Sequence, residues 1–313
     1  MTYYNKIISS SLIIFAILSY FIGFSVDEVS MGAGGYNGDF KFVKNSIQIF
    51  DQNSIMEAIL LFSESSNRTP LIYILHKTLN PYFTDEKIFR NIVLIISSSI
   101  PLLFFFCLKE KFKHADNLTL ILLSSILFFN PFFRTSSFWG LEENYAIICA
   151  LISIFFLLKI SNLESTKNFK FYFYLLLLTL FSSLCIYFDQ KFLIIPLICF
   201  IKIIFGKYLL RFKIFTTFSY LIFSIPFLFL IKLWGGIFPS NIYNLGNEFY
   251  IHHLGFALTV IAFIFFPFLL LKEKNLKNQL KIFFSNKRII ISLFIITFYL
   301  IFVFFFHSND YLN

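Results

Sequence analysis

Charge is what this chain has least of: 14% of its 313 residues are Asp, Glu, Lys or Arg, against 58% that are hydrophobic. A water-soluble domain of this size needs far more polar surface to cover one core, which excludes that class. Cysteine is scarce as well. Its four copies, Cys107, Cys149, Cys185 and Cys199, all fall within apolar runs, so they read as small apolar filler with no structural disulfide. The one glycine-rich stretch lacks the Gly-Lys-Ser/Thr ending of a phosphate-cradling loop, which excludes a nucleotide site of that kind. No small-residue cleavage pattern follows the first apolar run, Ile7 to Phe24, so it reads as a retained span rather than a signal peptide.

What is abundant is phenylalanine, 49 residues of it, which together with Ile and Leu forms runs long enough to cross a bilayer. A span needs roughly 20 apolar residues. It must be helical, because lipid offers no partner to a bare peptide group. The runs are too long for the alternating strands of about 10 residues that build an outer-membrane barrel. The expected fold is therefore all-α: a polytopic transmembrane helix bundle forming a single domain over residues 1–313. Spans are expected near 7–24, 88–108, 118–133, 143–160, 171–188, 192–206, 214–234, 253–271 and 289–306, with 118–133 and 192–206 the shortest.

Lysine and arginine mark one set of alternate loops. Of the 26 basic residues, 17 lie at Lys6 and in the connections near 109–113, 159–170, 202–213 and 272–288. Cations collect on the cytoplasmic side of membrane proteins, so this alternation predicts a cytoplasmic N-terminus and an outside C-terminus. The formal net charge of +9 is then a record of topology, with the bilayer as partner and no nucleic acid.

The opposite loops hold the residues that invite chemistry. The first, residues 25–87, is too long for a mere connector. Gly32, Gly34, Gly35 and Gly38 make its start a turn or ligand-approach segment. Ser54 and Glu57 form a capping box ahead of one helix, and Pro70 suits the first position of another over LIYILHKTL. Thr84, with Asp85 and Glu86 behind it, is the expected cap of the second span. Both loop helices carry an apolar face suited to the membrane interface.

With these features the chain resembles the GT-C superfamily of membrane glycosyltransferases, whose members include aminoarabinose and protein O-mannosyl transferases. The matching residues are Asp39 in GDF, Arg68-Thr-Pro70-Leu71 with Tyr73, and Arg90 opening span two. Asp27 and Glu28 stand about a dozen residues too early for the family's spacing. RTPL replaces the Lys-preceded double proline of some relatives, and no soluble C-terminal domain follows, as in a short member or a fragment.

The resemblance implies an inverting transfer of sugar from a polyprenyl-phosphate donor to a glycan, lipid or protein acceptor on the outer face. Such a transfer needs a general base and cations for the departing phosphate. Asp39 is the expected base, or else a loop cap. Arg68, Arg90 and Arg134 are the expected phosphate ligands, with snorkelling at a helix end the alternative for Arg90. Trp139, Glu142, Glu143 and Asp189 are expected to touch substrate, although Trp139 also suits an interfacial belt and the two glutamates a helix N-terminus. A divalent cation shared by Asp39 with Glu142 or Glu143 fits the same family. His252 and His253 are adjacent, point to different helix faces and make a poor metal pair. A lipid-linked oligosaccharide flippase or transporter and a polysaccharide polymerase are the competing readings. Nearly charge-free span centres and the lack of an internal repeat favour surface chemistry over a transport path.

Overall fold

The structure, a computed structural model, describes residues 3–29, 34–66, 68–79, 85–163 and 169–236, all within one compact unit, Met1–Leu245. The expected spans at 253–271 and 289–306, and with them His252 and His253, lie outside the described residues. Every regular element among the described residues is helical. In chain order these are α1 (Tyr3–Ser25), a π-helical turn (Tyr36–Phe40), α2 (Lys41–Gln52), α3 (Ile55–Ser65), α4 (Leu71–Leu79) and α5 (Glu86–Lys111). After them come α6 (Asn117–Ser125), a 3-10 turn (Ile126–Phe129), α7 (Pro131–Trp139), α8 (Glu143–Asn162), α9 (Phe169–Phe188), a 3-10 turn (Gln190–Leu193), α10 (Ile194–Ile204) and α11 (Leu210–Trp234). Five of these, α1, α5, α8, α9 and α11, are long and apolar enough to cross a membrane.

Side-chain contacts fix the direction of each helix. Phe15 meets Phe129 and Phe24 meets Phe138, so α1 runs in the same direction as α7. Helices α5 and α8 also run parallel. Asn144 at the start of α8 donates to Ser97 of α5 (3.0 Å), while Glu110 at the end of α5 takes Lys159 (2.5 Å) and Asn162 (2.7 Å) from the end of α8. The Tyr145–Phe188 and Phe156–Tyr174 ring pairs run α9 back along α8. Phe171–Phe212 and Tyr187–Phe227 then set α11 parallel to α9. The chain therefore returns between them through α10, whose 11 residues extend only about 16 Å at about 1.5 Å per residue. The flanking residues supply the rest of that path.

Two expectations are corrected. The span expected at 118–133 ends early, at Phe129, and the segment after it is no loop. Asn130 caps α7 by accepting the Phe133 N–H (3.1 Å), Pro131 occupies its first turn and Gly140 closes it in the left-handed region (φ 76°). The two pieces bend by 65° at that break. All of Phe133 to Trp139 is buried. Asp85 rather than Thr84 caps α5, accepting the Ile88 N–H at 2.9 Å; Thr84 lies outside the described residues.

The long first loop forms a small helical layer of its own. Phe50, Phe62 and Tyr73 bring α2, α3 and α4 together, with ring centroids 5.0 to 5.8 Å apart. Lys77 ties α4 to the end of α2 by donating to the carbonyls of Phe50 and Asn53. Ser54 caps α3 as its spacing predicts, accepting the Glu57 N–H. Helix α3 leaves Ile55, Met56, Leu60 and Leu61 exposed, an apolar face of the kind that lies against lipid.

Candidate functional site

The arginines expected to bind phosphate gather at the end of the bundle where α1 finishes and α5 and α8 begin. Each is paired to a carboxylate. The chain leaves α1 through a tight turn in which the Glu28 N–H bonds the Gly23 carbonyl (2.9 Å). This turn places Asp27 at φ 53°, and it is the one non-glycine residue with positive φ among those described. Aspartate tolerates that conformation better than most residues, yet such strain persists only where the surroundings enforce it.

Asp27 Oδ1 lies 2.6 Å from Arg90 Nη2, and Arg90 Nε donates to the Phe138 carbonyl (3.0 Å). The rings of Phe24, Phe40 and Trp139 surround the guanidinium, that of Trp139 at 4.5 Å. Stacking and hydrogen bonds together hold Arg90 in one orientation. The Asp27 side chain, by contrast, is 60% exposed. The pair opens onto a cleft of about 370 Å³ that Glu86, Lys87 and Asn91 also line.

Arg134 comes from buried α7 and is itself 5% exposed. Its Nη1 donates to Ser19 Oγ (3.1 Å) and the Phe128 carbonyl (3.2 Å), and its Nη2 to the Ser19 carbonyl (3.0 Å) and the Glu28 carboxylate. Only Nε is left without a hydrogen-bond partner, and it is buried, so no pair of donors is open to a phosphate.

The third centre joins three separate segments. Arg68 Nη1 lies 2.5 Å from Glu142 Oε1 and 3.9 Å from Glu143 Oε1, with the guanidinium over the Phe42 ring. Lys191 reaches Glu143 (3.8 Å) and Asp189 (3.6 Å). Glu142 is 1% exposed, and burial pushes its carboxyl up to about 7, helped by repulsion from Glu143 and opposed by Arg68. Burial works against the charge on Arg68, but Glu142 and Glu143 outweigh it and hold the guanidinium more firmly protonated than usual.

The remaining expected residues stand apart. Asp39, in the π-helical turn, is half-buried and accepts the Gly35 N–H (3.1 Å); among the described residues it makes no ion pair. Trp139 is fully buried beneath Arg90, which fits neither an interfacial belt nor an open sugar platform. Among the described residues no three His, Cys, Asp or Glu side chains converge as a metal site would require.

Sequence reasoning set aside Asp27 and Glu28 for their spacing, yet they are the carboxylates that meet Arg90 and Arg134. The signal was two adjacent acids just past the end of a span, in the same loop set as Arg68, Arg90 and Arg134. It likewise missed α2, although Val43, Ser46 and Phe50 repeat at helical spacing on one buried face.

Comparisons with protein-family models, curated proteins and solved structures returned no match. The glycosyltransferase resemblance therefore rests on the chain's own residues.

Proposed function

We propose that this protein is a GT-C-like membrane glycosyltransferase that moves a sugar from a polyprenyl-phosphate donor to an acceptor hydroxyl on the non-cytoplasmic face. One observation carries the reading: the open cleft at the end of α1 pairs an exposed, strained carboxylate with a caged arginine, Asp27 with Arg90. The two groups match the two needs of the reaction. The acceptor oxygen bonds to the anomeric carbon as the bond from that carbon to the phosphate oxygen breaks. The hydroxyl proton passes to the Asp27 carboxylate, and the charge left on the phosphate is met by Arg90. Arg68 and Lys191 stand ready to hold the donor's phosphate by exchanging a carboxylate partner for it. In this reading Asp27 takes the role first expected of Asp39.

The test is a transfer assay in lipid nanodiscs with a panel of polyprenyl-phosphate sugars, comparing Asp27→Asn with Asp39→Asn at matched expression. Asp27→Asn is expected to lose roughly 10²–10⁴-fold in turnover, the usual worth of a positioned base, with Asp39→Asn close to wild type. Wild-type turnover by Asp27→Asn removes it as the base.

A flippase has one observation in its favour. Leu71 joins Leu184, Tyr187, Phe223 and Pro226 in lining an apolar groove of about 250 Å³ between α9 and α11. Protein-dependent exchange of the donor between leaflets of reconstituted liposomes, without sugar transfer, would favour that reading.

A further inference from the structure

We infer that Arg134 is a positioning residue: through Glu28 it fixes the neighbouring Asp27, and it does not itself bind the donor's phosphate. The inference rests on the transferase reading above and deepens it.

Three observations converge. First, the donors of both terminal nitrogens of the buried Arg134 are committed, to Ser19, to the Phe128 carbonyl and to Glu28. A phosphate ligand needs at least one pair of these donors free. Second, Glu28 is anchored at both ends. Its side chain pairs with Arg134 and its amide bonds the Gly23 carbonyl, so the residue that precedes it has little freedom left. That residue is Asp27, held at φ 53°, a conformation that a free aspartate leaves readily. Third, the pair occupies space that only glycine grants. A Cβ on Gly23 would overlap both Arg134 Nη2 and the Glu28 carboxylate. Gly23, Glu28 and Arg134 thus form one clamp that turns the chain at the end of α1 and aims Asp27 at Arg90. Charge-assisted hydrogen bonds suit this role, because they keep a fixed geometry where neutral ones would give.

The test compares Arg134→Gln, Glu28→Gln, Glu28→Ala and Gly23→Ala with the double variant Arg134→Gln/Glu28→Ala, in the same nanodisc assay, on preparations that remain monodisperse. A clamp predicts that every single variant lowers kcat by roughly 10–10²-fold, as a misaimed catalytic group does, while KM for the polyprenyl-phosphate donor stays within about twofold. It also predicts a double variant no worse than the weaker single, since both changes open the same clamp. A phosphate ligand behaves otherwise: Arg134→Gln raises KM for the donor, and the Glu28 changes leave kinetics alone. That pattern, or wild-type kcat in Glu28→Gln, overturns the inference. Glu28→Gln is nearly isosteric and partly exposed, so its kinetics decide between the two roles if Arg134→Gln does not fold. A wild-type protein that transfers no sugar from any donor takes the transferase reading down with it. Transfer with unaltered kcat in the clamp variants overturns the positioning role alone.

Discussion

Glu142 shows how one residue's surroundings set its chemistry. A carboxylate beside an arginine ordinarily titrates low, but here burial and the Glu143 charge outweigh Arg68 and leave Glu142 near 7. Its pKa in the folded protein therefore lies above its value in the unfolded chain. The stability this group contributes is complete below the usual carboxylate range and is lost as pH rises through about 7. Glu142→Gln, neutral at every pH, abolishes that dependence. Melting in detergent at about pH 5.5 and about pH 8 is the check: the wild type should lose more on going to the higher pH than the variant does. Equal losses would mean that Glu142 stays ionised throughout. His76 is the opposite case. Burial lowers its pKa to about 3, so it stays neutral against the Phe89 ring and contributes no switch near neutral pH.

Among the elements, α11 is where backbone chemistry and packing meet. Pro226 lies inside this helix, has no N–H to offer and forces the turn around it open. The Tyr187 hydroxyl from α9 enters the gap, accepting the Phe227 N–H (3.0 Å) and donating to the Phe223 carbonyl. Those two backbone groups are the pair an unbroken helix would have joined directly. In lipid neither would find water, so the tyrosine both mends α11 and fastens it to α9. Tyr187→Phe removes the bridge and leaves both groups bare, which should destabilise the protein by roughly 1 kcal/mol. Thermal unfolding in micelles measures it, and an unchanged melting temperature would show that the gap is satisfied some other way. Helix α7 teaches a related lesson. Its start and stop, Asn130-Pro131 and Gly140, are readable in the sequence. Its polar composition nevertheless made it look like a surface loop. Arg134, Ser136, Ser137 and Asn144 are buried here because they bond one another's elements, as Asn144 does with Ser97 and Ser137.

For the whole molecule, charged side chains sort to opposite ends of the bundle. Arg68, Arg90, Arg134 and Lys191 meet their acids at one end, and Lys113 and Lys159 meet Glu110 at the other. The positive-inside argument predicts that the arginine end faces away from the cytoplasm. Both Ser65 and Ser161 are exposed and sit at opposite ends. A cysteine at Ser65 should react with an impermeant thiol reagent on intact cells, and one at Ser161 only after permeabilisation; the reverse pattern would invert the topology. The helical class, the full-length helices and the alternation of loop charge were all written in the sequence, because period, apolar run length and charge bias are local quantities. The bend at Asn130, the buried fate of α7 and the pairing of Asp27 with Arg90 and of Glu28 with Arg134 were not. Which carboxylate meets which arginine depends on residues from 63 to 106 positions apart being folded onto one another, and only tertiary structure decides that.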